Sequence, residues 1–88
     1  MDILRVSGSS KTSKVAGAIA GVMREKGHVV LQAIGAAAVN QTVKAITLAR
    51  TYLQEDGIEI VFIPEFVDVE IDNSIRTAIK FSVEPRSG

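Results

Sequence analysis

Cysteine and tryptophan are absent from this chain of 88 residues, prolines number only two, and histidine occurs once, at His28. Without cysteine there is no disulfide, no thiolate nucleophile and no thiolate-ligated zinc, and the composition suits a reducing compartment, so the expected location is the cytoplasm. A single imidazole at a helix-to-strand turn offers neither a metal site nor a general base. With no nucleophile and base occurring as a set, neither enzymatic activity nor a cofactor is expected. Net charge is lacking too, because 10 Lys and Arg balance 10 Asp and Glu. Long apolar runs are missing: the most apolar stretch, Val29 to Val39, is broken by Gln32 and Gly35 and falls well short of the ~20 residues that cross a bilayer. Neither a targeting segment nor a membrane span is expected. One Tyr and three Phe are too few to build a base-stacking platform.

What is present is a core. Hydrophobic residues make up 47% of the chain, far from a disordered composition, and the length predicts a single domain over residues 1–88. A domain of this size buries only about 60–65% of its unfolded surface, so a modest core or association with other chains must stabilise it.

Periodicity orders the elements. Ile3 to Val6 reads as a short strand ended by the polar run Ser7 to Ser13, whose residues prefer loops and helix caps. Val15, Ile19 and Val22 then recur at helical spacing, and Gly27 follows Arg24-Glu25-Lys26, predicting a first helix over 13–26. Val29 to Ile34 is apolar on both faces, as a central parallel strand requires. Residues 36–53, free of proline and glycine, form the second helix, with Val39, Val43, Ile46 and Leu53 on its apolar side. Ile58 to Ile63 begins a third strand that Pro64 should interrupt or bulge, which places that strand at a sheet edge. Val67 to Asp72 and Ile75 to Glu84 alternate strictly, as a β-hairpin. A three-residue loop, Asp72-Asn73-Ser74, would set Glu70 opposite Arg76, with Asp68 and Lys80 diagonal, partly neutralising the acidic row. The order β-α-β-α-β-β with right-handed crossovers predicts an α/β protein, a two-layer α+β sandwich with a mixed four-stranded sheet, two helices on one face and the other face open.

The charges segregate along the chain. Up to Gln54 seven cations meet two acids, a net +5, and from Glu55 onward three cations meet eight acids, a net −5. A neutral protein can thus carry a basic face. Gly8-Ser9-Ser10-Lys11-Thr12 lacks the glycines that a phosphate-binding loop needs at the positions of Ser10 and Arg5. Lys11 and Lys14 nonetheless stand by the positive end of the first helix, where a phosphate is favoured. On the second helix Asn40, Lys44, Thr47 and Thr51 form one polar stripe flanked by Gln41 and Arg50, containing hydrogen-bond donors and no carboxylate. Gly17 and Gly21 thin the first helix, which predicts close packing there against the second helix or a second subunit. Asp68, Glu70 and Asp72 are read as a solvated acidic row rather than a metal site.

Along nearly its whole length the chain resembles the stage V sporulation protein S family. The resemblance is carried by Gln32-Ala33-Ile34-Gly35-Ala36 through Asn40-Gln41, Lys44-Ala45 and Ala49-Arg50. It continues in Met1 to Ser7, Val15-Ala16-Gly17-Ala18, Arg76-Thr77-Ala78-Ile79 and Val83-Glu84-Pro85-Arg86. Ala37 and Ile75 depart from it, standing where glycine and glutamate are expected, and Lys11 and Lys14 occupy a loop that varies. The resemblance implies an Alba-like βαβαββ fold with the third strand at an edge, and a part in spore development. Alba-like proteins are small dimers that bind DNA and RNA through a basic loop before the first helix, through the second helix and through a hairpin arm. Carried onto this chain, the loop is Gly8 to Lys14 and the helix contributes Asn40, Lys44 and Arg50. The arm does not carry over, because Asp68, Glu70 and Asp72 would be repelled by a minor groove.

The expected function is therefore a non-enzymatic sporulation regulator. It binds DNA or RNA with little sequence preference, through the sugar-phosphate backbone, using Lys11, Lys14, Asn40, Lys44 and Arg50. A homodimer through the third strand is expected, because both faces of Ile58 to Ile63 are apolar, with Ile58, Ile60 and Phe62 at the contact. The alternative is a protein-interaction module that assembles through its open sheet and hairpin.

Overall fold

The computed structural model describes residues 3–86. Met1 and Asp2 of the amino-terminal segment quoted above, and the two ends of the expected domain, lie outside the described residues. The elements are β1 (Ile3–Val6), α1 (Thr12–Lys26), β2 (Val29–Ala33), α2 (Ala36–Leu53), a 3-10 turn (Gln54–Asp56), β3 (Ile60–Ile71) and β4 (Ser74–Pro85). They form a four-stranded mixed sheet in the order β1-β2-β4-β3. β1 runs parallel to β2, and β4 pairs antiparallel with β2 on one side and β3 on the other. β3 is an edge, as the resemblance implied.

One buried cluster joins both helices to one face of the sheet. α1 contributes Ala16, Ile19, Ala20 and Met23, α2 contributes Ala38, Ala45, Ile46, Ala49 and Leu53, and the sheet contributes Val6, Leu31, Ile60, Phe81 and Val83. The many alanines let the helices approach closely, and the largest fully buried side chains come from both layers, Phe81 and Leu31 from the central strands and Ile19 and Leu53 from the helices. Phe81 and Phe62 add a tilted ring pair with centroids 5.3 Å apart, worth about 0.5–1.5 kcal/mol beyond burial. Thr42, buried in α2, satisfies its hydroxyl by donating to the Ala38 carbonyl at 2.8 Å. α1 stops where Gly27 adopts φ 82° and its N–H closes on the Met23 carbonyl, a left-handed cap that glycine takes without strain. No helix among the described residues is long and apolar enough to cross a membrane.

The hairpin differs from the sequence expectation in two respects. β3 runs through Pro64 without interruption or bulge, since Ile63, Pro64 and Glu65 pair in turn with Ser82, Phe81 and Lys80. An edge strand has a ladder on one side only, so a residue whose missing N–H faces outward costs nothing. The loop has two residues, not three. Asp72 and Asn73 both adopt positive φ, 49° and 65°, the conformation of a tight hairpin turn that matches strand twist and that Asp and Asn tolerate. Ile71 therefore pairs with Ser74, Glu70 with Ile75, and Val69 with Arg76.

This shift of one residue redistributes the charges. Asp68 and Glu70 share the helix-side face with Phe66, Ile75 and Ile79, whereas Arg76 and Lys80 lie on the open face with Val67 and Val69. The expected neutralisation of the acidic row across the hairpin does not occur. Lys80 pairs instead with Glu65, directly opposite, at 2.8 Å. Because β2 pairs only with residues 79–83 of β4, residues 67–78 project beyond it as a two-stranded arm.

Candidate nucleic-acid interface

Residues 7–11 form a loop held by its own polar groups. The Ser7 N–H donates to Ser10 Oγ at 2.9 Å, and the Ser10 N–H donates back to the Ser7 carbonyl at 3.1 Å. The loop docks on the start of α2. Gln41 Nε2 donates to the Ser10 carbonyl at 2.7 Å and to Thr12 Oγ1 at 3.3 Å, spending both amide hydrogens on it. Gly8 lies so close that a Cβ added to it would stand 2.8 Å from the Ala37 Cβ. Lys11, at the end of this loop, is thereby fixed beside the first turns of α2.

α1 and α2 each follow a parallel strand, so both amino termini lie at the same end of the sheet. Neither helix has a side-chain cap or an acidic residue in its first turn. The unpaired N–H groups of both first turns, with their positive dipole ends, therefore stand alongside Lys11 and Lys14 without a carboxylate among them. Lys14 lies on the solvent side of α1, and Asn40 and Lys44 lie one turn apart on the solvent side of α2. Lys11, Lys14 and Asn40 thus lie toward one end of the helical layer, with Lys44 one turn further along α2. Thr47, further along the stripe, donates its hydroxyl to the Val43 carbonyl at 2.8 Å.

Arg50 is not part of that group. It follows Lys44 by six residues, about 9 Å along the helix and roughly 120° around it, and borders a hollow with Gln54, Gly57, Ile58 and Glu59. Lys11, Lys14, Lys44 and Arg50 are all exposed, and none forms an ion pair among the described residues. Arg24 is engaged: its Nε meets Asp56 Oδ2 at 2.7 Å, and its Nη2 donates to the Tyr52 carbonyl, tying the ends of the helices together. Arg86 is likewise paired with Glu59 at 2.8 Å. The cations that remain free are thus mostly those of the basic half of the chain.

Gly17 and Gly21 are exposed, and nothing lies within 4 Å of a Cβ built on either. Within this chain the expected packing of α2 against them does not occur, because α2 meets α1 on another side, through Thr12 and Arg24. Of the three residues expected at a subunit contact, Ile60 is only 6% exposed and sits in this chain's own core. Phe62 leans on Phe81, and Ile58 packs against the same cluster. Apolar surface is free elsewhere, at Phe66 (78% exposed) and Ile75 (74%) on the helix side of the arm and at Ile63 on the open side.

Arg5 was missed by the sequence reading. The alternation Leu4-Arg5-Val6 in β1 was the available signal, since it puts Arg5 on the sheet face away from the core. It borders a shallow hollow together with Lys14, Val15 and Ala18, which extends the basic zone around the β1 edge.

Among solved structures, the fold is similar to Alba from Thermoplasma volcanium, with a TM-score of 0.65 at 13% sequence identity over 94% of this chain and 99% of that one. At this identity the likeness concerns the fold alone. The sequence model of stage V sporulation protein S (SpoVS) matches residues 2–86, almost the whole chain, and the chain belongs to that family.

Proposed function

We propose that this protein is a nucleic-acid-binding protein of the sporulation programme, working in the cytoplasm as a homodimer and without enzymatic activity. The observation that carries this reading is that Lys11, Lys14, Asn40 and Lys44 are all exposed on the loop and the first turns of two helices whose amino termini share one end of the sheet and hold no acid in their first turns. Such donors bind phosphate and sugar oxygens, which position a strand without reading its bases. Arg50 adds an outlying contact further along α2. The likeness in fold to Alba supports the same reading.

Phe66 and Ile75 support the homodimer. Large apolar side chains so exposed on one face mark an association surface, and this surface takes over the role first given to Ile58, Ile60 and Phe62. The same two residues also favour the second reading, an assembly module that acts without nucleic acid.

Binding of mixed-sequence duplex DNA, single-stranded DNA and RNA at low salt separates the two readings. Micromolar or tighter binding that weakens with salt and tolerates sequence changes is the expected result. Absence of binding to all three, by protein shown to be folded, would leave only the assembly module.

A further inference from the structure

The open face of the sheet is not flat. Residues of the arm, Val69, Glu70 and Ile71, stand across from Arg5, Ser7, Gly8, Gln32 and Ile34, enclosing a groove of about 600 Å³. Ala78, at the base of the arm on this face and outside the core cluster, is only 1% exposed. The groove opens at the carboxyl ends of the two parallel strands, beside the loop that carries Lys11.

Its chemistry is set by register. Arg5, Gln32, Lys80 and Glu65 form one row across all four strands, because Arg5 pairs with Gln32, Gln32 with Lys80, and Lys80 with Glu65. Lys80 and Glu65 satisfy each other. The Arg5 guanidinium and the Gln32 amide have no hydrogen-bond partner among the described residues. Arg76 stands on the same face beside Val69, also unpaired, while Asp68 faces the other way. The groove thus combines a free guanidinium, a free amide with both donor and acceptor, and the aliphatic walls Ile34, Val69 and Ile71.

We infer that this groove holds a single nucleic-acid strand, with a phosphate on Arg5, a base edge on the Gln32 amide, and the base faces against Ile34 and Val69. The inference rests on the nucleic-acid reading above and names the substrate class that reading leaves open. A double helix is stiff over ~150 base pairs and keeps its bases stacked inside, so it cannot enter a concavity walled by the arm. A single strand bends and can turn bases outward. Glu70 is the one acid among the lining residues; its side chain belongs to the helix-side face of the arm, so Arg5 on β1 is the groove's phosphate contact and the arm side is left to the bases. Arg5 borders both this groove and the hollow shared with Lys14. A strand held by Lys11 and Lys14 can therefore pass over the β1 edge into the groove by way of Arg5.

The test compares binding of oligo(dT), oligo(U) and a mixed duplex, each of about ten nucleotides, to the parent, to Arg5→Gln, to Gln32→Ala and to the triple variant Lys11→Ala, Lys14→Ala, Lys44→Ala. Arg5→Gln removes an exposed charge that has no partner among the described residues, so the fold persists; circular dichroism checks this for both variants. Loss of a charge-assisted contact in Arg5→Gln should weaken single-strand binding on the order of tenfold, clearly more than it weakens duplex binding, and Gln32→Ala should weaken single-strand binding while leaving duplex affinity within about twofold of the parent. Amide shifts at Gly8 and Ile71 on adding the single strand are the second expected signature, and their size with dT against U tells DNA from RNA. Unchanged single-strand affinity in both groove variants, with loss of all binding in the triple variant, overturns the groove while sparing the helix-side interface. Equal loss on single strand and duplex in Arg5→Gln also overturns it, since Arg5 then belongs to the helix-side surface. No binding of any probe by the parent overturns the nucleic-acid reading itself.

Discussion

The salt dependence of binding puts the strongest constraint on the helix-side interface. Each phosphate neutralised on duplex DNA releases counterions and contributes about −0.9 to the slope of log affinity against log salt. Lys11, Lys14 and Lys44 are exposed and form no ion pair among the described residues, so three contacts per subunit should contribute about −2.7, and a homodimer engaging both copies about twice that. Between 50 and 200 mM salt the share of one subunit alone amounts to a roughly 40-fold loss of affinity. Replacing all three lysines by alanine should flatten the slope by about 2.7 per engaged subunit, whatever the duplex sequence. Arg24→Ala is the internal control: it also removes one positive charge, but from a guanidinium already committed to Asp56. Fluorescence anisotropy over five or more salt concentrations resolves such slopes. An unaltered slope in the triple variant, or an equal flattening in Arg24→Ala, would refute the reasoning, because charge anywhere on the surface would then suffice.

Other consequences concern stability and association. Phe81→Ala removes the largest fully buried side chain and its ring contact with Phe62, and should cost about 3–5 kcal/mol in urea unfolding. Gly8→Ala forces a Cβ to 2.8 Å from that of Ala37; a loss of about 1–3 kcal/mol is expected, and Ala37→Gly should recover part of it in a double-mutant cycle, whereas simple additivity would show that the loop does not rest on α2. Asn73→Val places a β-branched residue at φ 65° and should destabilise by roughly 1–2 kcal/mol, visible as a lower Tm. Sedimentation should give a dimer for the parent and a folded monomer for Phe66→Asp with Ile75→Asp, and a dimer that survives both changes would move the interface elsewhere.

Much was legible in the sequence because it depends on local chemistry. α2 is Ala36–Leu53 as its uninterrupted helix formers predict, and β1 and α1 start and stop within a residue of the punctuation supplied by the serine run and Gly27. β2 reads as central because every position but Gln32 is apolar, and burial follows that pattern. The polar stripe of α2 was visible at helical spacing, since backbone geometry alone decides which side chains share a face.

What remained to tertiary structure was everything that depends on a count of one residue or on distance through space. Whether the hairpin loop has two residues or three turns on two left-handed φ angles at Asp72 and Asn73, and that choice sends Arg76 and Lys80 to one face and Asp68 and Glu70 to the other. The apolar content of Ile58 to Ile63 was plain, but the use of Ile60 and Phe62 followed from where α2 and β4 happen to lie. Pro64 reads as a break in sequence and is none, because an edge strand spares it a ladder bond. The loop of Lys11 and the helix of Lys44, 33 positions apart in the chain, meet through the two hydrogen bonds of Gln41, while Arg50, only six positions beyond Lys44, is carried away by the rise and turn of the helix. Composition and periodicity therefore determined the elements and their order. Register, edge position and the meeting of loop with helix decided which charges face the same side, because those are set by packing between segments that no local pattern specifies.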